Sequence, residues 1–270
     1  MFKFLNFVFG GIIFIIGLII ESIITIFPCW ILRLFGKEKA SHEIYWKALP
    51  RMARFICRLL WVKVHVEGEE NLPPGDHMGN YCYISNHQSI VEYAAYIGVM
   101  KLRMVPVAKA ELKKVPFIRS LSIGVGTIHL ERNNIKSSIM SIRKGVEVLK
   151  SGEPVIIFPA GTRSRNDTLG DLKEGSFKLA FRAKSVLIPL VVRGSRQSLE
   201  DKHGWHRQHV YIKVLPQVPT ASLDKDGQKE VYKTVVAEME NAYLSLPVPR
   251  EILKEQKKRE IKEQKKVSST

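Results

Sequence analysis

A histidine and a carboxylate lie five residues apart in Tyr81-Cys82-Tyr83-Ile84-Ser85-Asn86-His87-Gln88-Ser89-Ile90-Val91-Glu92, where an apolar β-rich run gives way to a polar turn and then to helix formers. An imidazole titrates near neutrality and can take a proton from an alcohol. A neighbouring carboxylate fixes its tautomer and stabilises the cation that forms. Two residues five apart on one helix point about 140° away from each other. His87 and Glu92 therefore meet only if His87 stands on the turn and Glu92 in the first helical turn. Two plainer readings compete: a histidine in a turn is often just a polar residue, and Ser89-x-x-Glu92 is a capping box in its own right.

A second candidate follows in Val155-Ile156-Ile157-Phe158-Pro159-Ala160-Gly161-Thr162-Arg163-Ser164-Arg165, an apolar run entering a small-residue turn with two arginines. Gly161 lets backbone N–H groups approach an anion, Thr162 and Ser164 offer hydroxyls, and Arg163 presents a planar fork suited to phosphate. Taken alone, a surface turn bearing arginines is the simpler reading.

Together the two stretches resemble the glycerolipid acyltransferase family in order and spacing. The pattern is Asn86-His87-x-x-x-x-Glu92 followed by Phe158-Pro-x-Gly-Thr-Arg-Ser. Gly126-Thr127-Ile128-His129-Leu130-Glu131-Arg132 is similar to the family's block ending in an acid and an arginine, and Leu187-Ile188-Pro189-Leu190 to its proline-bearing strand. The resemblance covers residues 60 to 215. It implies a 1-acyl-sn-glycerol-3-phosphate acyltransferase, in which His87 deprotonates the sn-2 hydroxyl of lysophosphatidic acid for attack on an acyl-CoA or acyl-carrier-protein thioester. Glu92 would orient His87, and Arg132, Gly161, Thr162 and Arg163 would bind the acceptor phosphate. The thioester is a co-substrate, and neither a cofactor nor a metal is implied. Four positions depart from the family's usual residues: Glu92 for Asp, Ala160 for Glu, His129 for Phe and Val186 for Pro. Ala160 leaves room for another lysophospholipid or lyso-aminolipid acceptor, or for a non-catalytic lipid-binding relative, against which His87 and Glu92 speak.

These residues need a scaffold. Residues 62–66, 81–85, 104–108, 155–158, 186–192 and 210–214 read as strands, and 89–100, 135–150, 174–183 and 228–244 as helices. That alternation predicts a layered α/β fold whose sheet is largely parallel or mixed, flanked by helices, with ligands at strand ends. Residues 1–36 read as a membrane-anchoring segment, 37–249 as the catalytic domain and 250–270 as a basic charged tail. From Phe4 to Leu32 the chain is nearly all apolar and too long, with too few basic residues before it, for a cleaved signal peptide. Glu21 is costly in hydrocarbon, so the segment is either one tilted span or two short helices in one leaflet. Arg33, Lys37, Lys39, Lys47 and Arg51 follow it while only Lys3 precedes it, which predicts a catalytic domain facing the cytoplasm.

Forty-two Lys and Arg against 26 Asp and Glu give a net charge of +16, which calls for an anionic partner. No zinc finger, RNP-like strand or basic zipper points to nucleic acid, so a membrane lipid surface is the expected partner. The tail carries eight basic residues against four Glu and reads as a solvated helix or an electrostatic lipid contact. Three cysteines without a CxxC pair suggest neither disulfides nor a metal site, and the spacing of His203, His206 and His209 is not metal-like. Gly124-x-Gly126 lacks the third glycine of a dinucleotide fingerprint, and a Gly-x-Ser-x-Gly hydrolase elbow is missing. Lys109, Lys113 and Lys114 read either as contacts for a phosphate-rich donor or as a solvated face. Met100, Leu102, Met104, Phe117, Ile118 and Leu121 read either as an acyl groove or as core.

Overall fold

The computed structural model describes residues 11–13, 15–17, 19–131, 135–201, 207–250, 252–254, 257 and 264, without the side chains of residues 135 and 136. Eight strands form one sheet: Val62–Glu67 (β1), Tyr81–Ser85 (β2), Val105–Lys109 (β3), Ile128–Leu130 (β4), Val155–Ile157 (β5), Val186–Arg193 (β6), Gln208–Val214 (β7) and Val218–Pro219 (β8). The order is β1-β7-β6-β2-β5-β3-β4, with β8 beside β6. β6 pairs antiparallel with β7 and β8, and the other pairings are parallel. The expected mixed, largely parallel α/β sheet is therefore the fold.

The central strands are continuous apolar runs because both faces of the sheet are covered. Alternation along β2 sends Cys82 and Ile84 into one core cluster and Tyr83 into the other; Val155 and Ile156 of β5 divide the same way. Val91–Gly98 (α3) follows β2, and Ile135–Lys150 (α5), Glu174–Ala183 (α6) and Lys225–Ser245 (α7) complete the layers. α5 and α6 have the expected bounds. α3 is shorter than the expected 89–100, since Ile90 is its N-cap and the helix ends at Gly98 with Val99 as its C-cap.

Two helices fall outside the expected pattern, Glu38–Leu59 (α2) and Pro116–Gly124 (α4). Ser41, Tyr45, Ala48 and Met52 give α2 a buried stripe at helical spacing. Its interior Pro50 and dense charge mask that stripe in the sequence. α2 matters for the site because it supports α3. A Cβ on Gly98 would lie 2.7 Å from the Arg54 nitrogen and 2.9 Å from the Ala53 carbonyl carbon, so only glycine permits this approach of the two helices.

Residues 11–34 form one helix, α1, with a π-helical turn at Ser22–Ile26, rather than two short helices. It is long and apolar enough to cross a membrane, and Ile12, Ile15, Ile19, Ile23, Phe27 and Trp30 face outward. The Lys37 N–H bonds back to the Leu32 carbonyl and the Gly36 N–H to that of Arg33, a Schellman turn that reverses the chain into α2. The isolated-charge problem at Glu21 is solved within this hairpin. Arg51 of α2 donates from Nε and Nη2 to the two Glu21 oxygens at 3.0 and 3.1 Å, and Thr25 adds a third donor.

Candidate active site

The C-terminal ends of three adjacent parallel strands, β5, β2 and β6, converge on one edge of the sheet. Ligands of open α/β sheets gather at such edges. β2 ends at Ser85, and the next residue, Asn86, is wholly buried. Its side-chain amide donates to the Val192 carbonyl and accepts from the Val192 N–H, both at 2.8 Å. A side chain thus continues the β2–β6 ladder and frees the backbone to turn. His87 stands on that turn, with its ring stacked on Phe158 at a centroid distance of 4.3 Å.

Glu92 occupies the first turn of α3, and the histidine and carboxylate meet: Nδ1 of His87 is 2.7 Å from Oε2 of Glu92. Glu92 is completely buried. Leaving such a charge unanswered costs several kcal/mol. Its other oxygen, Oε1, accepts from the Gln88 N–H at 2.5 Å, the Ser89 N–H at 2.6 Å and the Ser195 hydroxyl at 2.7 Å. The Ser89 hydroxyl in turn accepts from the Val91 N–H. The cap and the pairing with histidine are therefore both present, on different oxygens of one carboxylate. Because Oε2 can only accept, the hydrogen-bond pattern assigns the proton to Nδ1 and leaves the lone pair on Nε2. A neutral imidazole held this way can accept a proton at Nε2.

The 158–165 segment lies beside it. The Gly161 N–H closes a turn onto the Phe158 carbonyl at 3.0 Å, and Pro159 occupies the position that favours such a turn. Gly161 has φ +66°, and a Cβ there would meet nothing within 4 Å, so the glycine serves backbone conformation rather than close packing. The two loops are stitched together, since the Ser164 N–H donates to the His87 carbonyl at 2.7 Å. The Ser164 hydroxyl, expected to face an anion, bonds instead to the Asn166 carbonyl at 2.8 Å. Thr162 and Arg163 are exposed. Arg163 Nη1 donates to Oε1 of Glu200 at 2.9 Å, so the expected phosphate fork already holds a carboxylate.

Arg132 lies outside the described residues, as do His203 and His206. Its block reaches the sheet as edge strand β4, with Lys109 at the end of β3 opposite Leu130. Burial and the charge of Lys113 lower the pKa of His129 there. His209 sits on β7, where its Nδ1 is 2.8 Å from Nε2 of His65. Met100, Leu102 and Met104 belong to the core. The three cysteines are free and buried, and burial pushes Cys57 up to about 11 and Cys82 up to about 12, which disqualifies both as thiolate nucleophiles.

Further buried polar residues join the corner from distant sequence. Gln88 accepts from the Gly194 N–H at 3.1 Å and donates to the Tyr243 hydroxyl at 2.8 Å. Tyr243 donates to Asp167 at 2.7 Å, and Asp167 forms an ion pair with Arg193. Burial and the hydrogen bond to Asp167 raise the pKa of Tyr243 and keep it a phenol. Asp167 is thus a part-buried counter-ion to Arg193. Composition gives no signal for these partners, because only the fold brings residues 88, 167, 193 and 243 together.

A helix-flanked sheet with a histidine–carboxylate pair at its strand ends defines an α/β enzyme equipped for proton transfer from a hydroxyl. Residues 63–193 match the family model described as Acyltransferase. The 1-acyl-sn-glycerol-3-phosphate acyltransferase of Saccharomyces cerevisiae is 30% identical over 210 residues, 76% of this chain and 67% of the yeast protein. The Homo sapiens 1-acyl-sn-glycerol-3-phosphate acyltransferase alpha is 29% identical over 182 residues, 67% of this chain and 63% of the human protein. The fold matches the crystal structure of the 1-acyl-sn-glycerophosphate (LPA) acyltransferase PlsC from Thermotoga maritima with a TM-score of 0.71 and 20% identity, covering 91% of this chain and 98% of that one. The chain belongs to the acyltransferase family and is an acyltransferase.

Proposed function

We propose that the protein transfers a fatty acyl group from acyl-CoA or acyl-carrier-protein to the sn-2 hydroxyl of lysophosphatidic acid, giving phosphatidic acid. The names of the relatives supply the acceptor class. The single observation that carries the chemistry is the 2.7 Å contact between His87 and Glu92, with the carboxylate fully engaged on its other oxygen. Nε2 of His87 takes the hydroxyl proton as that oxygen attacks the thioester carbonyl carbon. The tetrahedral intermediate collapses with cleavage of the C–S bond, and the departing thiolate takes the proton from the imidazolium. Glu92 stays ionised and holds the ring. Atoms balance without an acyl-enzyme, a metal or a cofactor.

Arg132, Thr162 and Arg163 bind the acceptor phosphate in this reading, with Gly161 shaping the turn that presents them and Arg163 exchanging Glu200 for the phosphate. A second acceptor class is favoured by that same carboxylate together with Ala160. A lysolipid carrying an ammonium group would place its phosphate on Arg163 and its amine on Glu200. Helix α1 attaches the protein to the membrane, and the basic residues after it put the catalytic domain on the cytoplasmic side.

Purified full-length protein in detergent, offered several lysolipids and both donor types, tests the assignment. Phosphatidic acid should be the main product. In His87→Ala, turnover should fall at least about a hundredfold without unfolding, the usual scale for a lost general base. Near-normal turnover by a folded mutant would refute the role of His87.

A further inference from the structure

We infer that Ser195 is a positioning residue for the reaction, acting through Glu92 on His87; the inference rests on His87 being the base. Three donors fix Oε1 of Glu92, and two of them are backbone N–H groups of the same turn, Gln88 and Ser89. Local backbone can cap the helix but does not stop the carboxyl group from rotating about its terminal bond. The Ser195 hydroxyl supplies the third contact, 103 residues away in sequence, from the segment just beyond β6. With Oε1 gripped from two directions, Oε2 has one orientation left, toward Nδ1 of His87.

Ser195 is itself held in place. It is completely buried, and the preceding residue, Gly194, gives its N–H to the Gln88 side chain. The Oε1 of that side chain lies 3.4 Å from the Ser195 hydroxyl. Gln88 is anchored in turn by Tyr243 of α7. The hydroxyl therefore faces two acceptors, Glu92 at 2.7 Å and Gln88 at 3.4 Å, and the nearer one is charged. Charge-assisted hydrogen bonds are the stronger ones, so the proton points at Glu92. Burial keeps Ser195 from touching substrate, and its function is to orient and to moderate the charge on Glu92.

Removing the hydroxyl has two separable effects. The carboxylate gains rotational freedom, which lowers the fraction of enzyme in the competent arrangement and hence kcat. It also loses a donor, concentrates more negative charge on Glu92 and favours the imidazolium form of His87. Because the base must start neutral, the acid limb of the pH–rate profile moves to higher pH.

The test is steady-state kinetics of full-length Ser195→Ala and Ser195→Thr from pH 5 to 9, beside the wild type and His87→Ala. In Ser195→Ala we expect kcat to fall about tenfold, the scale of one hydrogen bond to a charged group, with KM for both substrates unchanged and the acid limb moved to higher pH. Ser195→Thr, which keeps the hydroxyl, should restore both. A Ser195→Ala enzyme within about twofold of wild type in kcat and with an unmoved acid limb would overturn the inference. So would activity lost only in proportion to folded protein. An active His87→Ala would instead overturn the underlying role of His87, so the two failures are distinguishable.

Discussion

The His87–Glu92 corner and the Arg163 turn lie side by side but are finished to different degrees. In the corner the carboxylate is buried, each oxygen has assigned donors, and partners arrive from β6 and α7. In the turn, Arg163 is 46% exposed at its side chain and paired with Glu200, of which the second oxygen is buried with no partner among the described residues. Fixed partners suit a proton transfer, which depends on sub-ångström placement before substrate arrives. An exchangeable partner suits a headgroup contact that must form and release once per turnover. On the proposed function, the chemistry is built in and acceptor binding is completed by the acceptor.

The largest expected effect breaks the finished half. In Glu92→Gln the amide oxygen can keep the donors of Gln88, Ser89 and Ser195, but the amide nitrogen then donates to Nδ1 of His87. The ring is forced into the opposite tautomer, with Nε2 protonated and unable to act as base. Turnover should drop by about three orders of magnitude or more while the melting temperature stays within a few degrees. Near wild-type turnover at matched folded concentration would leave Glu92 as a helix cap only. Glu92→Asp, which restores the charge, should recover much of the rate.

Next comes the adjustable half. Arg163→Lys keeps the charge but loses the fork. Apparent acceptor affinity should fall about tenfold with donor KM unchanged, and a phosphate-free acceptor should feel nothing. Glu200→Gln should act in the opposite direction for lysophosphatidic acid, lowering acceptor KM by about threefold as a competing anion is removed. If both variants leave acceptor KM unchanged, the contrast between the two halves is wrong.

The smallest effect supplies a control, a second histidine–carboxylate pair beside the N-terminal end of β5, away from the C-terminal strand ends. His42 lies 3.0 Å from Glu153, and that hydrogen bond raises its pKa against an opposing contribution from burial. A raised folded-state value means that the stabilisation is complete below the ordinary histidine value and is lost as pH rises through the folded-state one. His42→Gln should therefore lower the melting temperature by about one to two degrees near pH 5.5, with the difference shrinking toward pH 8. Its acid limb in kinetics should match wild type, whereas that of Ser195→Ala should not.

Much of this was legible beforehand. Strands with both faces buried declare themselves as apolar runs, and the strand-turn-helix reading at 81–92 supplied the geometry in which His87 and Glu92 can meet. α2 was not legible because Pro50 and its charges hide a stripe that the packing of α1, α3 and α4 explains. β4 is three residues long and sits at the sheet edge, where periodicity has little room to register. Glu200, Ser195 and Tyr243 stayed silent for a different reason: each acts on a partner tens to more than a hundred residues away, and no local pattern records that.

The Glu21–Arg51 pair also dictates an order of assembly. During synthesis, helix α1 is complete once residue 34 has emerged, yet its carboxylate has no cation until residue 51 follows and α2 folds back against it. For that interval the nascent chain carries a charge that an apolar environment rejects. On the proposed attachment of α1 to a membrane, lasting insertion belongs to the hairpin as a unit, and a chain stopped between residues 34 and 51 should slip back out of a bilayer more readily than one carrying both helices.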